Sequence, residues 1–174
     1  SAGKKYSEAV GDRWKMSSPI PAHIADTVIT DAADIDSMAE KCDFVFCAVN
    51  MNREEIVALE EAYAKAELPV ISNNSANRWT SDVPMVIPEI NDAHLSVIEG
   101  QRRRLGTRRG FIAVKPNCSI QSYVPMLTPL LKYGIREVVA TTYQAISGAG
   151  KNFAEWPEMV DNVIPFISGE EEKS

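Results

Sequence analysis

The chain has 174 residues, 45% of them hydrophobic, which is enough for a packed core and excludes a disordered tail. Its 18 basic and 24 acidic side chains leave a net charge of -6, so no global attraction to nucleic acid or an anionic membrane is expected. The longest apolar runs, such as Phe44 to Val49, fall far short of the roughly 20 residues that span a bilayer, and no basic-then-apolar leader opens the chain; a soluble cytoplasmic protein is expected.

In chain order, "TVIT" at Thr27 to Thr30 reads as a strand and Asp34 to Lys41 as a weak acidic helix. "DFVFCAV", Asp43 to Val49, is a near-continuous apolar run suited to a strand buried on both faces of a parallel sheet. Asn52 can cap the next helix with Glu55 at its third position, and Ile56, Leu59 and Tyr63 share one face. "LPVIS" returns to strand; "PMVIP" is a further short strand, Asn91 to Leu105 a helix capped by Asn91, and "GFIAVK" another strand. This alternation predicts an α/β fold with a doubly wound parallel sheet, its ligands held at the carboxyl ends of the strands.

Beyond that strand the pattern changes. Ile120, Val124, Leu127 and Leu131 recur at helical spacing, with Pro125 and Pro129 expected to interrupt the helix and Gly134 to stop it. "REVVATTYQAISG", from Arg136, is long, β-branched and partly alternating, as in a strand of an antiparallel or mixed sheet. A second domain, 118–174, is expected after a first one, 1–117. The glycine-rich turn that opens a dinucleotide-binding unit is not in this sequence, so an internal piece of a longer protein is expected.

Three cysteines, Cys42, Cys47 and Cys118, make no CxxC pair, so neither a disulfide framework nor a metal site is expected. Cys42 and Cys47 belong to a buried strand and read as small core residues. Cys118 differs. In "PNCS" it stands between Asn117 and Ser119 at a strand-to-helix corner, where unpaired N–H groups and the helix dipole favour a thiolate. The same N–H groups, with the Asn117 amide, can donate to an oxyanion when a carbonyl carbon is attacked.

Six ordered segments, "SAGKKY", "SNNSANR", "DVPMVIPEIN", "PNCS", "QAISGAG" and "DNVIPFISGEEEK", together resemble the aspartate-semialdehyde dehydrogenase family from one end of the chain to the other. The "KK" and "EEEK" segments look more like its archaeal and fungal branch. The resemblance implies a Rossmann-type NADP-binding domain over 1–117 and the start of a catalytic and dimerisation domain over 118–174. It implies that Cys118 is the nucleophile of a phosphorylating, NADP-dependent oxidoreduction in the biosynthesis of the aspartate-derived amino acids, with Asn117 beside it. Gln144 would orient the substrate. Arg78 and Lys173 would bind phosphate, and Glu170 the substrate ammonium. Ser1 and Lys4 match the edge that meets the adenosine 2′-phosphate, Ala48, Val49, Asn50, Ser72 and Asn73 the cofactor crevice, and Ser147 and Gly148 the loop that approaches the cofactor. The expected partners are a small-molecule substrate and inorganic phosphate, in a homo-oligomer, with no nucleic acid and no membrane.

Lys115 stands where the family commonly has Asn, and the bulky Tyr123 replaces a small residue. The family's catalytic histidine matches neither His23 nor His94, so the base and the arginine that holds the substrate carboxylate are expected beyond Ser174. "QRRRLGTRR" carries five arginines without interleaved aromatics and reads as a solvated helix end rather than an RNA surface, a subunit contact being the other reading. Three alternatives stand beside the leading one: an acyl-CoA reductase of the malonyl-CoA type, a non-catalytic dinucleotide-binding module, and a cysteine hydrolase.

Overall fold

The computed structural model of the chain describes residues 1–166. Its centre is a parallel sheet of β1 (Val45–Cys47), β2 (Pro69–Ser72) and β3 (Phe111–Val114) in the order β1-β2-β3. Val45 lies opposite Val70 and Val70 opposite Ile112, so one file of branched side chains crosses all three strands.

Around the sheet stand α1 (Tyr6–Val10), α2 (Ala22–Ala25), α3 (Ile35–Lys41), α4 (Arg53–Lys65), α5 (Pro88–Asn91), α6 (Ile98–Leu105) and α7 (Cys118–Leu127). The two crossovers between neighbouring parallel strands put α4 and α6 on the same face, where both pack on β3 and touch each other. The core forms there, from Cys47, Tyr63, Ala64, Leu68, Val70, Val83, Leu105, Ile112 and Val114, with Ile35 and Met38 of α3 packed against it.

The sequence specifies α4 at both levels. Asn52 accepts from the N–H of Glu55 at 2.9 Å and the Glu55 carboxylate accepts from the N–H of Asn52 at 3.2 Å, the expected capping box. The buried stripe is Ile56, Glu60, Tyr63 and Ala64, with Leu59 at its margin. A carboxylate therefore occupies the middle of the apolar face.

Four expectations need correction. The Asp43–Val49 run is buried on one face only: Phe44 and Phe46 point away from the helices, 51% and 76% exposed, and meet edge to face at 5.3 Å. The cause is the one-sided placement of the crossovers. Thr27–Thr30 forms a single antiparallel bridge, Val28 with Lys5, rather than a strand of the main sheet. The expected Asn91–Leu105 helix is split into a 3₁₀ stretch over Asp92–Val97 and α6, and the Asn91 side chain caps neither; it accepts from the Ile87 N–H at 2.8 Å and donates to the Met85 carbonyl at 3.0 Å, tying down the short α5 that begins at Pro88 and ends at Asn91. Arg136–Gly148 forms no ladder among the described residues: 136–145 carry no regular structure and Ile146–Ala149 make a 3₁₀ turn. A β-branched segment becomes a strand only beside a partner edge, and none of the described residues supplies one.

The outer edge of β3 is closed in two ways. Gln101 of α6, wholly buried, accepts from the Ile112 N–H at 2.6 Å and donates to the Ile112 carbonyl at 2.9 Å, imitating a neighbouring strand. Further along, "PMVIP" contributes one parallel bridge, Met85 with Val114, flanked by Pro84 and Pro88, which have no N–H to extend it.

Contrary to expectation α7 runs through Pro125 to Leu127; the α-helical pattern gives way at Thr128 to a 3₁₀ turn over Thr128–Tyr133, with Pro129 in its first turn, and Gly134 ends it at φ 75° as expected. The arginines of "QRRRLGTRR" are largely engaged within the chain. Arg104 pairs with Glu61 and Asp82, Arg109 with Asp43, and Arg102 with Glu99 while stacking 5.5 Å from the Phe111 ring. Among the described residues no helix is long and apolar enough to cross a membrane.

Candidate active site

The strand-to-helix corner after β3 is where the sequence places it. Asn117, 4% exposed, caps α7 through its side-chain oxygen, which accepts from the N–H of Ser119 at 3.0 Å and its hydroxyl at 3.1 Å. Cys118 is the first residue of the helix and is exposed. The carbonyl end of the Asn117 side chain is thus committed to shaping the corner.

Cys118 opens onto a hollow of about 470 Å³ whose other walls are Ser119, Ser122 and Thr141 to Gln144. The thiol and Gln144 are brought together, although they come from a helix end and from a segment without regular structure. Gln144 is held by its own loop. A Cβ on residue 148 would stand 2.6 Å from Gln144 Nε2, so glycine there leaves the room the amide occupies. Ser147 belongs to the same 3₁₀ turn and accepts from the Gly150 N–H at 3.0 Å through its carbonyl.

A second group gathers at the carboxyl ends of β1 and β2. Ala48, Val49 and Asn50 follow β1, Ser72 ends β2, and the Asn73 N–H donates to the Cys47 carbonyl at 2.8 Å. Ala48 and Asn50 are exposed, whereas Ser72 is buried. Ser1 and Lys4 are exposed, in a stretch where the Gly3 N–H donates to the Ile29 carbonyl at 2.8 Å and the Ile29 N–H donates to the Lys4 carbonyl at 2.9 Å.

Arg78 connects the groups. Its Nε donates to the Lys115 carbonyl at 3.1 Å, three residues before the thiol, and its side chain lines a hollow of about 340 Å³ with Met51, Arg53, Ser75 and Trp79. Glu170 and Lys173 lie outside the described residues.

The remaining cysteines behave as core residues. Cys47 is buried, its thiol is pushed up to about 11 by burial, and Asn74 Nδ2 contacts its sulfur at 3.3 Å. Its conversion to a nucleophile is disfavoured by the same burial.

One functional candidate escaped the sequence reading. Glu60 is wholly buried beneath the segment that carries Ser72, Asn73 and Arg78. The signal was present, since Glu60 falls four residues after Ile56 and three before Tyr63 on the apolar stripe of α4.

A parallel α/β sheet with open strand ends is an architecture that holds dinucleotides, and here a thiol stands on the first turn of the helix that follows its last strand. Residues 1–98 match the model of the semialdehyde dehydrogenase, NAD binding domain family, and the chain belongs to that family. Relatives include the aspartate-semialdehyde dehydrogenases of Aspergillus fumigatus, 38% identical over 99% of this chain and 47% of the relative, and of Archaeoglobus fulgidus, 41% identical over 98% of this chain and 48% of the relative. The crystal structure of aspartate semialdehyde dehydrogenase with NADP from Candida albicans superposes with a TM-score of 0.76 at 35% identity, covering 99% of this chain and 47% of that one. These relatives are fungal and archaeal, the branch that the "KK" and "EEEK" segments resemble. The chain spans about half the length of the curated relatives it matches.

Proposed function

We propose that the protein is an NADP-dependent, phosphorylating aspartate-semialdehyde dehydrogenase in which Cys118 carries the acyl group. The observation that carries this reading is the shared hollow of Cys118 and Gln144 on the first turn of α7. The Cys118 sulfur bonds to the aldehyde carbon and the aldehyde oxygen takes a proton, giving a thiohemiacetal; after loss of hydride from carbon and of the proton from the hydroxyl, a thioester remains. Phosphate then attacks the thioester carbon, the sulfur leaves with the electron pair, and aspartyl phosphate departs. Biosynthesis runs these steps in reverse. Gln144 holds the carbonyl beside the thiol, and Arg78, with Lys173, holds phosphate.

The residues at the strand ends suit a dinucleotide. Ala48 and Asn50 are exposed at the carboxyl end of β1, where a parallel sheet holds such ligands. NADP would be held by Ala48, Val49, Asn50, Ser72 and Asn73, by Ser1 and Lys4 at the adenosine end, and by Ser147 and Gly148; when bound it supplies a hydride acceptor. In the same reading Glu170 binds the substrate ammonium and Asn117 shapes the oxyanion corner. The domain boundary falls at Asn117, supported by a core that runs no further than Val114. The reading also includes a cytoplasmic homo-oligomer, supported by large apolar side chains left at the surface, Phe46, Val139 and Tyr143 among them.

The test uses the full-length enzyme. Cys118→Ser should abolish turnover and leave cofactor binding in place, because a hydroxyl lacks the acidity and leaving-group chemistry of a thiol. Arg78→Ala should raise the KM for phosphate at least tenfold, about 1.4 kcal/mol of lost binding, while a burst of NADPH equal to the enzyme present survives. Loss of the burst with unchanged phosphate saturation would remove Arg78 from the phosphate site. Activity with an acyl-CoA thioester and indifference to phosphate would assign the chain to the reductases instead.

A further inference from the structure

Glu60 has no exposed surface and sits where α4 would otherwise present an apolar side chain. Every group that faces its carboxylate is a donor. Ser72 Oγ donates to Oε1 at 2.5 Å, since an ionised carboxylate can only accept, and the same hydroxyl oxygen accepts from the Asn74 N–H at 3.0 Å. Asn74 Nδ2 reaches Oε1 at 3.5 Å and also the Cys47 sulfur at 3.3 Å. Asn77 Nδ2 donates to Oε2 at 2.8 Å, while the Asn77 oxygen accepts from the Thr80 hydroxyl at 2.9 Å.

Ser72 closes β2, Asn74 and Asn77 lie in the segment that follows it, and the next residue after Asn77 is Arg78. From there the chain of contacts continues. Arg78 Nε donates to the Lys115 carbonyl, and the Lys115 N–H donates to the Ser72 carbonyl at 3.0 Å, closing a loop of bonds around the corner that leads to Cys118. A carboxylate that merely filled the core would be replaced to advantage by leucine. Here three side-chain donors need an acceptor with two oxygens, and a buried donor left without one costs its full desolvation.

We propose that Glu60 is a positioning residue: by holding Ser72, Asn74 and Asn77 it sets the place of Arg78, and through the bond from Arg78 to Lys115 it sets the corner that carries Cys118. This inference rests on the roles given to Arg78 and Cys118 under the proposed function. It predicts that Glu60 acts on the reaction through Arg78, not independently of it.

Glu60→Gln is the informative variant because it keeps the size of the side chain and replaces one acceptor with an N–H donor, set against either Asn77 Nδ2 or the Ser72 and Asn74 donors. In both orientations the segment that leads to Arg78 loses an acceptor and must shift. In the full-length protein Glu60→Gln should raise the KM for phosphate about fivefold, yet add less than about 1.5-fold in an Arg78→Ala background, the signature of two residues acting as one. A second cycle needs no turnover. The rate of Cys118 alkylation by iodoacetamide, read from its own peptide, should change at least about twofold in Glu60→Gln and not further when Arg78 is already alanine. Additive effects in both cycles, or a lowered Tm with unchanged KM and alkylation rate, would overturn the inference. A wild-type protein without phosphate-dependent NADPH formation would overturn the proposed function, and the alkylation cycle would still decide the role of Glu60.

Discussion

Gln144 occupies the space that a side chain on residue 148 would need. A Cβ at that position would meet Nε2 at 2.6 Å, Cγ at 2.8 Å and Cδ at 3.0 Å, all atoms of a side chain that can swing away. Gly148→Ala should therefore displace Gln144 rather than unfold the loop. We expect stability to change by less than about 0.5 kcal/mol and kcat to fall roughly tenfold or more, because misplacing an orienting group is costly in rate while a surface substitution is not costly in stability. The check is kinetic: in a Gln144→Ala background, Gly148→Ala should have no further effect on kcat. Two independent losses would show that the glycine serves the cofactor side of the loop instead. The pairing of Cys118 with Gln144 illustrates what local sequence can convey. The corner at Asn117 was legible from a strand, a capping side chain and a helix period, all within a dozen residues. The amide was legible only through the family resemblance, since its placement depends on a non-repetitive segment folding back.

At the scale of elements, the tightest junction joins the end of α4 to the start of β3. Gly110 has no room for a side chain: a Cβ there would lie 1.8 Å from the Ala64 carbonyl oxygen and 3.1 Å from Glu67 Cα, both backbone atoms that cannot rotate aside. The Glu67 carboxylate ties the same junction by accepting from the N–H groups of Arg108 at 3.0 Å, Arg109 at 2.6 Å and Gly110 at 3.0 Å. Gly110→Ala must push helix and strand apart and should destabilise the domain by about 2–3 kcal/mol, seen as a lower urea midpoint at unchanged slope. A midpoint equal to wild type would mean that the junction relaxes freely. Helix α4 was readable in advance because Asn52, Glu55, Ile56 and Tyr63 all signal the same element. The burial of Glu60 was not, because a carboxylate reads as a surface residue until Ser72, Asn74 and Asn77 are known to face it. The Arg136–Gly148 segment fails in the opposite way: its composition favours a strand, but a strand is a relation between two segments and composition names only one.

For the molecule as a whole, the same burial and hydrogen bonding fix how stability follows pH. On the acid side Glu67 is held down at about 2, chiefly by the N–H groups of Gly110, Arg109 and Arg108, against an ordinary 4.5. Its folded value is depressed, so its contribution is present above pH 4.5 and fades as pH falls towards 2. Glu61 is lowered by its hydrogen bond from Arg104 and acts with the same sign. On the alkaline side burial raises the Cys47 thiol from 9.0 to about 11, and burial raises Tyr63 as well. Here the unfolded chain releases protons that the fold retains, so stability falls as pH rises from 9 to 11, with Cys47 accounting for about 2–3 kcal/mol of the loss. Urea midpoints followed from pH 3 to pH 10.5 should trace a plateau with both shoulders. Glu67→Gln should flatten the acid shoulder and leave the alkaline one. Cys47→Ala should start lower at pH 7, because a small buried group has been removed, and then decline less steeply above pH 9, so that the two curves converge. Parallel curves above pH 9 would show that the thiol does not titrate with unfolding and that Tyr63 governs the alkaline edge.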